Sequence, residues 1–283
     1  MLNHESFSGR PAIRGAIGVF AVFAGTLPAH AAPVDDLMDL MKFPEVIEVL
    51  VDEGRGIGDD MSDDELGVPR FLWQNMINSL YDEEVMTAAF KQELSAAFGT
   101  FDLSPVIAFY DSDLGQEIAQ LELDARKAVS DEAVLSAAGD LWADLAPDSE
   151  RAMLIEEYVV TNDLIEMNVV GSLNSDMAYY RGLSEVAGNG VGPSDSDIMR
   201  EVWASEPDAR AHITEWVYGF STLAYEPLEF AEFDAYIEFG KTEAGQVLNT
   251  ALFAAFDKVY ADLARGLGAG TALLFQTHEG QDL

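Results

Sequence analysis

The stretch FGKTEAGQVLNTALFAAFDKVYADL, residues 239–263, decides the fold. From Ala244 to Leu263 an apolar side chain returns every three or four positions, and polar side chains fill the other face. That spacing predicts an amphipathic helix. Gly266 and Gly268, which follow Arg265, predict its end.

Helical spacing continues along most of the chain, and strand-like alternation is scarce. Helix starts are indicated at Asp82, which precedes two glutamates, and at Ser104, which precedes Pro105. Pro207 and Pro227 predict breaks between helices. We therefore predict an all-α fold.

The same unit occurs twice. Residues 130 positions apart match without a gap over about 45 residues, so that Trp73 aligns with Trp203. Each copy holds aromatic–x–x–Ser/Thr–acid–x–Gly–Gln: Phe109, Ser112, Asp113, Gly115 and Gln116 in the first, and Phe239, Thr242, Glu243, Gly245 and Gln246 in the second. We interpret the chain as a signal peptide (1–31), a first helical unit (32–129), a helical connector (130–160), and a second helical unit with a C-terminal tail (161–283).

The repeated motif has a structural interpretation. A helix ends near the aromatic residue, the hydroxyl caps the next helix, and the acid favours the positive end of the helix dipole. The glycine lets another backbone approach closely. Nothing in this pattern supplies catalytic chemistry.

Both corners resemble a family of exported bacterial proteins named domain of unknown function twenty fifty-nine. The resemblance covers the corner and its flanking helices in each copy. The copies differ from each other at Asp111 against Lys241 and at Tyr110 against Gly240, and neither has the proline often found after the hydroxyl residue. The resemblance implies a helical fold and export, and it brings no activity or site residue.

The first 31 residues have the pattern of an export signal. Arg10 and Arg14 precede an apolar run from Ala16 to Leu27, and residues 29–31 read AHA. We expect cleavage after Ala31 and a periplasmic or secreted product. The apolar run is shorter than the ~20 residues that span a bilayer, so we expect no stable membrane insertion after signal removal.

The chain is strongly acidic. It holds 51 acidic and 15 basic residues, a net charge of −36, and removal of residues 1–31 leaves 50 and 13. Such a field repels nucleic acid and anionic lipid and is compatible with cationic partners. With no cysteine, the fold depends on core burial rather than on disulfides.

Metal ligands are few. His212 and His278 are the histidines left after signal cleavage, so no zinc site and no cofactor are expected. The run Asp111 to Gly115 begins like a calcium loop, but its glycine comes one place early and no glutamate closes it. The acidic cluster at 59–65 has the composition of a solvated loop.

No nucleophile or phosphate-binding motif is present, so no catalytic residue is assigned. Aromatic residues are more frequent in the second copy, and an aromatic-lined pocket between helices is a common ligand site. The binding candidates are Trp203, Trp216, Tyr218 and Tyr236. A larger core is the alternative explanation for these aromatics.

The sequence thus favours an exported, non-enzymatic binding or interaction module of the cell envelope. An envelope protein or a small apolar ligand is the expected partner. The alternatives are a carboxylate-dependent envelope hydrolase and a low-affinity binder of divalent cations.

Overall fold

The computed structural model describes residues 31–59, 67–187 and 194–279, and every regular element in these ranges is a helix. This confirms the all-α prediction, whereas the signal segment lies outside the described residues except for Ala31. Within these ranges no helix has the length and apolar character needed to cross a bilayer. The helices are α1 (Ala31–Leu40), α2 (Phe43–Arg55), α3 (Arg70–Leu80), α4 (Glu83–Phe98), α5 (Ser104–Tyr110), α6 (Asp113–Ala128), α7 (Glu132–Asp144), α8 (Glu150–Thr161), α9 (Leu164–Ala187), α10 (Asp195–Tyr225), α11 (Phe230–Lys241) and α12 (Glu243–Glu279).

Side-chain caps explain several of the helix starts. The Asp82 carboxylate accepts a hydrogen bond from the Val85 amide at 3.0 Å, so the predicted start of α4 is confirmed. The predicted cap at Ser104 is wrong, because its hydroxyl instead donates to Asp102 at 2.7 Å and Leu103 occupies the cap position.

The predicted end of the last helix at Gly266 and Gly268 is also wrong, since α12 continues to Glu279. The glycines there allow α9 and α12 to pack backbone against backbone. A Cβ on Gly268 would lie 2.1 Å from the Tyr179 carbonyl oxygen, and one on Gly182 would lie 2.1 Å from that of Arg265. Close helix packing, rather than chain termination, therefore accounts for these glycines.

Pro207 does not break a helix either, because it lies inside α10. An interior proline costs about 3 kcal/mol of helix stability. Packing on both sides of it offsets that cost: Ile198 and Val202 are buried before it, and Val217 and Tyr225 are buried after it. Pro227 lies between α10 and α11, as expected.

The two main cores draw on helices that lie far apart in the chain, and α6 contributes to both of them. The first core combines α1, α2, α4 and α5 with Leu248, Ala251 and Ala255 of α12. The second combines α8, α10 and α11 with Ile118 and Ala125 of α6. The first core therefore joins residues from both ends of the described chain, whereas the buried residues of the second lie between Ile118 and Ile237.

Candidate ligand cavity

The two sequence motifs form corners with matching hydrogen bonds. At the first corner the Ser112 hydroxyl donates to the Phe109 carbonyl at 2.6 Å and accepts from the Gly115 amide at 3.1 Å. At the second, the Thr242 hydroxyl makes the equivalent bonds to Phe239 and Gly245 at 2.6 and 3.1 Å. Each hydroxyl thus joins the end of one helix to the start of the next.

The motif glycines are required by the tightness of the corners. A Cβ on Gly115 would lie 2.1 Å from the Phe109 carbonyl oxygen, and one on Gly245 would lie 2.3 Å from that of Phe239. Neither distance is sterically possible. The close approach is to the end of the preceding helix.

The motif glutamines, for which the sequence suggested no role, brace the same corners. Nε2 of Gln116 donates to the carbonyl of Tyr110 at 2.6 Å, and Nε2 of Gln246 donates to that of Gly240 at 2.6 Å. Gln116 also donates to the Leu40 carbonyl at 2.9 Å. The glutamines therefore tie each corner to the helix before it.

The corners meet through their aromatic residues. The rings of Phe109 and Phe239 stack with centroids 3.9 Å apart and planes 7° apart. Tyr236 also stacks on Phe109, with centroids 5.8 Å apart and planes 15° apart. Phe239 and Tyr236 also line a cavity beside this contact.

The cavity has a volume of about 630 Å³ and lies among α2, α5, α6 and α8–α12. Its lining is mainly apolar and aromatic, and most of its aromatic side chains are only half-buried because they face the cavity. His212 is the exposed residue of the lining and marks where the cavity approaches the surface. The aromatic residues of the lining include Tyr110, Tyr158, Trp216, Phe220, Tyr236 and Phe256.

One wall of the cavity carries a carboxylate surrounded by tyrosines. Oε1 of Glu122 accepts hydrogen bonds from the hydroxyls of Tyr225 at 2.7 Å and Tyr236 at 2.9 Å. The Tyr158 hydroxyl lies 2.8 Å from that of Tyr225. Because the single proton of Tyr225 points to Glu122, Tyr158 acts as donor in that contact. Glu122 Oε2 makes no hydrogen bond to any described residue.

Burial sets the protonation of this cluster. It raises the pKa of Glu122 above its ordinary value, and the hydrogen bonds from Tyr225 and Tyr236 oppose that rise only in part. Burial and the nearby Glu122 charge raise the pKa values of Tyr158, Tyr225 and Tyr236. The tyrosines therefore stay neutral near pH 7, and Glu122 is the carboxylic acid of the cluster, with its pKa raised by burial.

Arg126 lines the cavity one helical turn beyond Glu122, and its charge is already paired. It forms an ion pair with Glu53, in which Nη1 lies 2.7 Å from Oε1. The Ser130 hydroxyl donates to the same Glu53 oxygen at 2.6 Å. This pair joins α6 to α2, so that Glu122 has no cation as a partner among the described residues.

Two of the four binding candidates line the cavity. Trp216, which stacks on Phe220 with centroids 5.0 Å apart, and Tyr236 are among its walls. Trp203 is 61% exposed and Tyr218 stacks on Trp142 with centroids 4.4 Å apart; neither belongs to the lining.

Sequence reasoning missed Glu122, although a signal for it existed. It lies one turn after Ile118 and beside Ala119 and Leu123, on the apolar face of α6. A single acid in such a stripe indicates a charge directed inward.

The metal hypotheses gain no support in the described part of the chain, where no group of three or more His, Cys, Asp or Glu is arranged to hold an ion. The run from Asp111 to Gly115 forms the first corner rather than a loop. Of the acidic cluster at 59–65 only Asp59 is described, because residues 60–66 lie outside the described ranges. The side chain of His278 also lies outside them.

Comparison with known proteins gives one partial match. The sequence model of a bacterial family described as "Uncharacterized protein conserved in bacteria (DUF2059)" matches residues 84–144. These residues run from α4 to the end of α7 and include the first corner and Glu122, whereas the second corner lies outside them. No curated protein and no solved structure matches the chain. From α4 to α7 the chain is therefore similar to the DUF2059 family.

Proposed function

We propose that this protein is exported and binds a small, largely apolar ligand in the cavity, without chemistry of its own. The observation that carries the proposal is the cavity itself. Its volume of about 630 Å³ lies within the ~300–1,000 Å³ of ordinary ligand sites. Aromatic walls with one polar group among them are also typical of such sites.

The export part of the proposal rests on residues 1–31. We propose cleavage after Ala31, which leaves the described helices intact apart from the first residue of α1. The test is to express the full chain in a bacterium with a periplasm and sequence the N-terminus of the fractionated product. An uncleaved, cytoplasmic product contradicts export.

We also propose that the units 32–129 and 161–283 are tandem copies that bind the ligand between them. The 130-residue offset and the matching hydrogen bonds at Ser112 and Thr242 support this. The contribution of α6 to both cores, and of α12 to the core formed by the N-terminal helices, is the arrangement expected of two related units that share helices.

The hydrolase alternative requires a second carboxylate opposite the first. Asp257 is the other acid of the lining, and its Oδ1 accepts a hydrogen bond from Asn174 at 2.9 Å. Glu122 is held by two tyrosines. Binding accounts for the apolar walls as well as for the carboxylate, so it is the function that we infer.

The test uses the chain from Ala32 onward and a neutral apolar fluorophore, N-phenyl-1-naphthylamine. We expect its fluorescence to rise on binding to the wild-type protein and to fall in Gly171→Phe, which places a ring in the cavity. Gly171 tolerates the change because an added Cβ would meet only Asp257 Oδ1, at 3.8 Å.

The matched control is Val170→Phe on the same helix, because Val170 is 54% exposed and does not line the cavity. Equal fluorescence in both variants, or no binding by the wild-type protein, contradicts the proposed function.

A further inference from the structure

We infer that the ligand is an organic monovalent cation: an apolar body with one ammonium group that pairs with Glu122. This inference rests on the proposed function and names the chemical class of its ligand. Three features support it. One carboxylate oxygen of Glu122 has no hydrogen-bond partner, aromatic side chains surround the group, and no basic side chain among the described residues neutralises it.

The hydrogen bonds at Glu122 leave one open position, and it is an acceptor. Oε1 already accepts from Tyr225 and Tyr236, and each of those hydroxyls has spent its only proton. Oε2 has no partner among the described residues. When Glu122 is ionised, a ligand can therefore complete this wall only with a donor, which an ammonium supplies and a carboxylate does not.

The walls next to Glu122 suit a cation. Tyr158 and Tyr236 line the cavity with their ring centroids 5.6 Å apart, and the buried Tyr110 lines it as well. Ring faces carry negative partial charge and attract ammonium groups. A carboxylate with aromatic rings beside it gives an ammonium both a charge partner and a favourable surface.

Within the ranges that the structure describes, no basic side chain pairs with Glu122. Arg126, the basic residue nearest along α6, is held by Glu53. Apart from the tyrosines, the other titratable groups of the lining are Asp257, which adds negative charge, and the exposed His212 at the edge. The net charge of −36 also concentrates cations around the molecule before they bind.

An ammonium ligand also removes an energetic defect. A carboxylate placed among apolar walls without a cation is disfavoured, which is why burial raises the pKa of Glu122. Pairing with a ligand cation compensates that lost hydration through a charge-assisted hydrogen bond.

The experiment compares three probes with one apolar chain and different head groups: n-octylamine, n-octanol and octanoate. Each is titrated calorimetrically into the chain from Ala32 onward at pH 8. We expect the amine to bind at least about tenfold more tightly than the alcohol, the gain typical of a charge-assisted bond, and octanoate to bind most weakly. Tighter binding of octanoate or octanol than of the amine overturns the inference.

Substitutions locate the charge. Glu122→Gln keeps an acceptor for the two tyrosines, and we expect it to remove the preference for the amine while the alcohol still binds. Glu156→Gln is the matched control, since Glu156 accepts from Tyr218 at 2.8 Å on the protein surface. If the preference for the amine survives Glu122→Gln but disappears in Asp257→Asn, the ammonium binds Asp257 instead of Glu122, and the inference is overturned.

The head-group comparison needs only the wild-type protein, so it decides the matter even if a variant does not fold. Failure of all three probes to bind contradicts the proposed function and this inference together. Binding without a preference for the amine contradicts the inference alone.

Discussion

Phe109 and Phe239, which lie 130 positions apart in the chain, stack ring on ring with centroids 3.9 Å apart. The contact joins the ends of α5 and α11; α12, which follows α11, enters the first core, and α6, which follows α5, contributes to both cores. We expect either single alanine substitution to destabilise the protein by less than the ~3–5 kcal/mol of a fully buried ring, because each ring is only partly buried. We expect the double variant to lose about 0.5–1.5 kcal/mol less than the sum of the singles, because the stacking is counted once. Urea unfolding of the four proteins measures this coupling, and additive effects contradict it.

Gly115→Ala and Gly245→Ala should both destabilise the fold, by at least about 1–3 kcal/mol, because the new Cβ collides with a backbone carbonyl. Gly171→Ala is the control within a helix. Its Cβ meets only Asp257 Oδ1, at 3.8 Å, so we expect stabilisation of up to about 1 kcal/mol from helix propensity. Chemical denaturation measures all three, and a neutral effect at either corner contradicts the steric explanation.

Glu122 makes a stability contribution that depends on pH. Since burial raises its pKa in the folded protein, the folded state holds the proton over a pH range in which the unfolded state has lost it. The unfolding free energy therefore falls as pH rises from the ordinary value of 4.5 to the raised pKa, and the loss persists above it. Glu122→Gln should remove this component.

The measurement is the difference in unfolding free energy between the wild-type protein and Glu122→Gln from pH 4 to pH 8, which cancels the other acids. We expect the variant to gain relative stability as pH rises. A difference that is constant with pH contradicts the burial of this carboxyl group.

Because α6 contributes to both cores, we expect the protein to unfold in one cooperative transition. Leu248→Ala on α12 removes a side chain from the core that α2 and α4 form, and should cost about 2–5 kcal/mol. In the wild-type protein, far-ultraviolet circular dichroism and tryptophan fluorescence should report the same unfolding midpoint. In Leu248→Ala the midpoint should be lower, and the two probes should again agree. Two separate transitions contradict the shared cores.

Helix positions could be predicted from apolar spacing, because the buried face of a helix is determined by the order of apolar and polar residues within that helix. The end of α12 could not. Gly266 and Gly268 have the composition of a helix terminus, and only the presence of α9 against them makes a continuous helix favourable. Pro207 misled in the same way, since packing from distant segments holds α10 together around it.

The candidate site was predictable in part. Trp216 and Tyr236 followed from aromatic composition, and both line the cavity. Glu122 acquires its environment from Tyr225, which is 103 positions away in the chain, so its burial depends on the tertiary fold. Its place among apolar neighbours on α6 was the one local indication.

The sharing of helices also constrains the order in which the molecule can mature. Leu248, Ala251 and Ala255 complete an interior whose other members are synthesised near the start of the chain. The first core therefore stays incomplete until α12 has left the ribosome, whereas the residues of the second core have all been synthesised once Ile237 is in place.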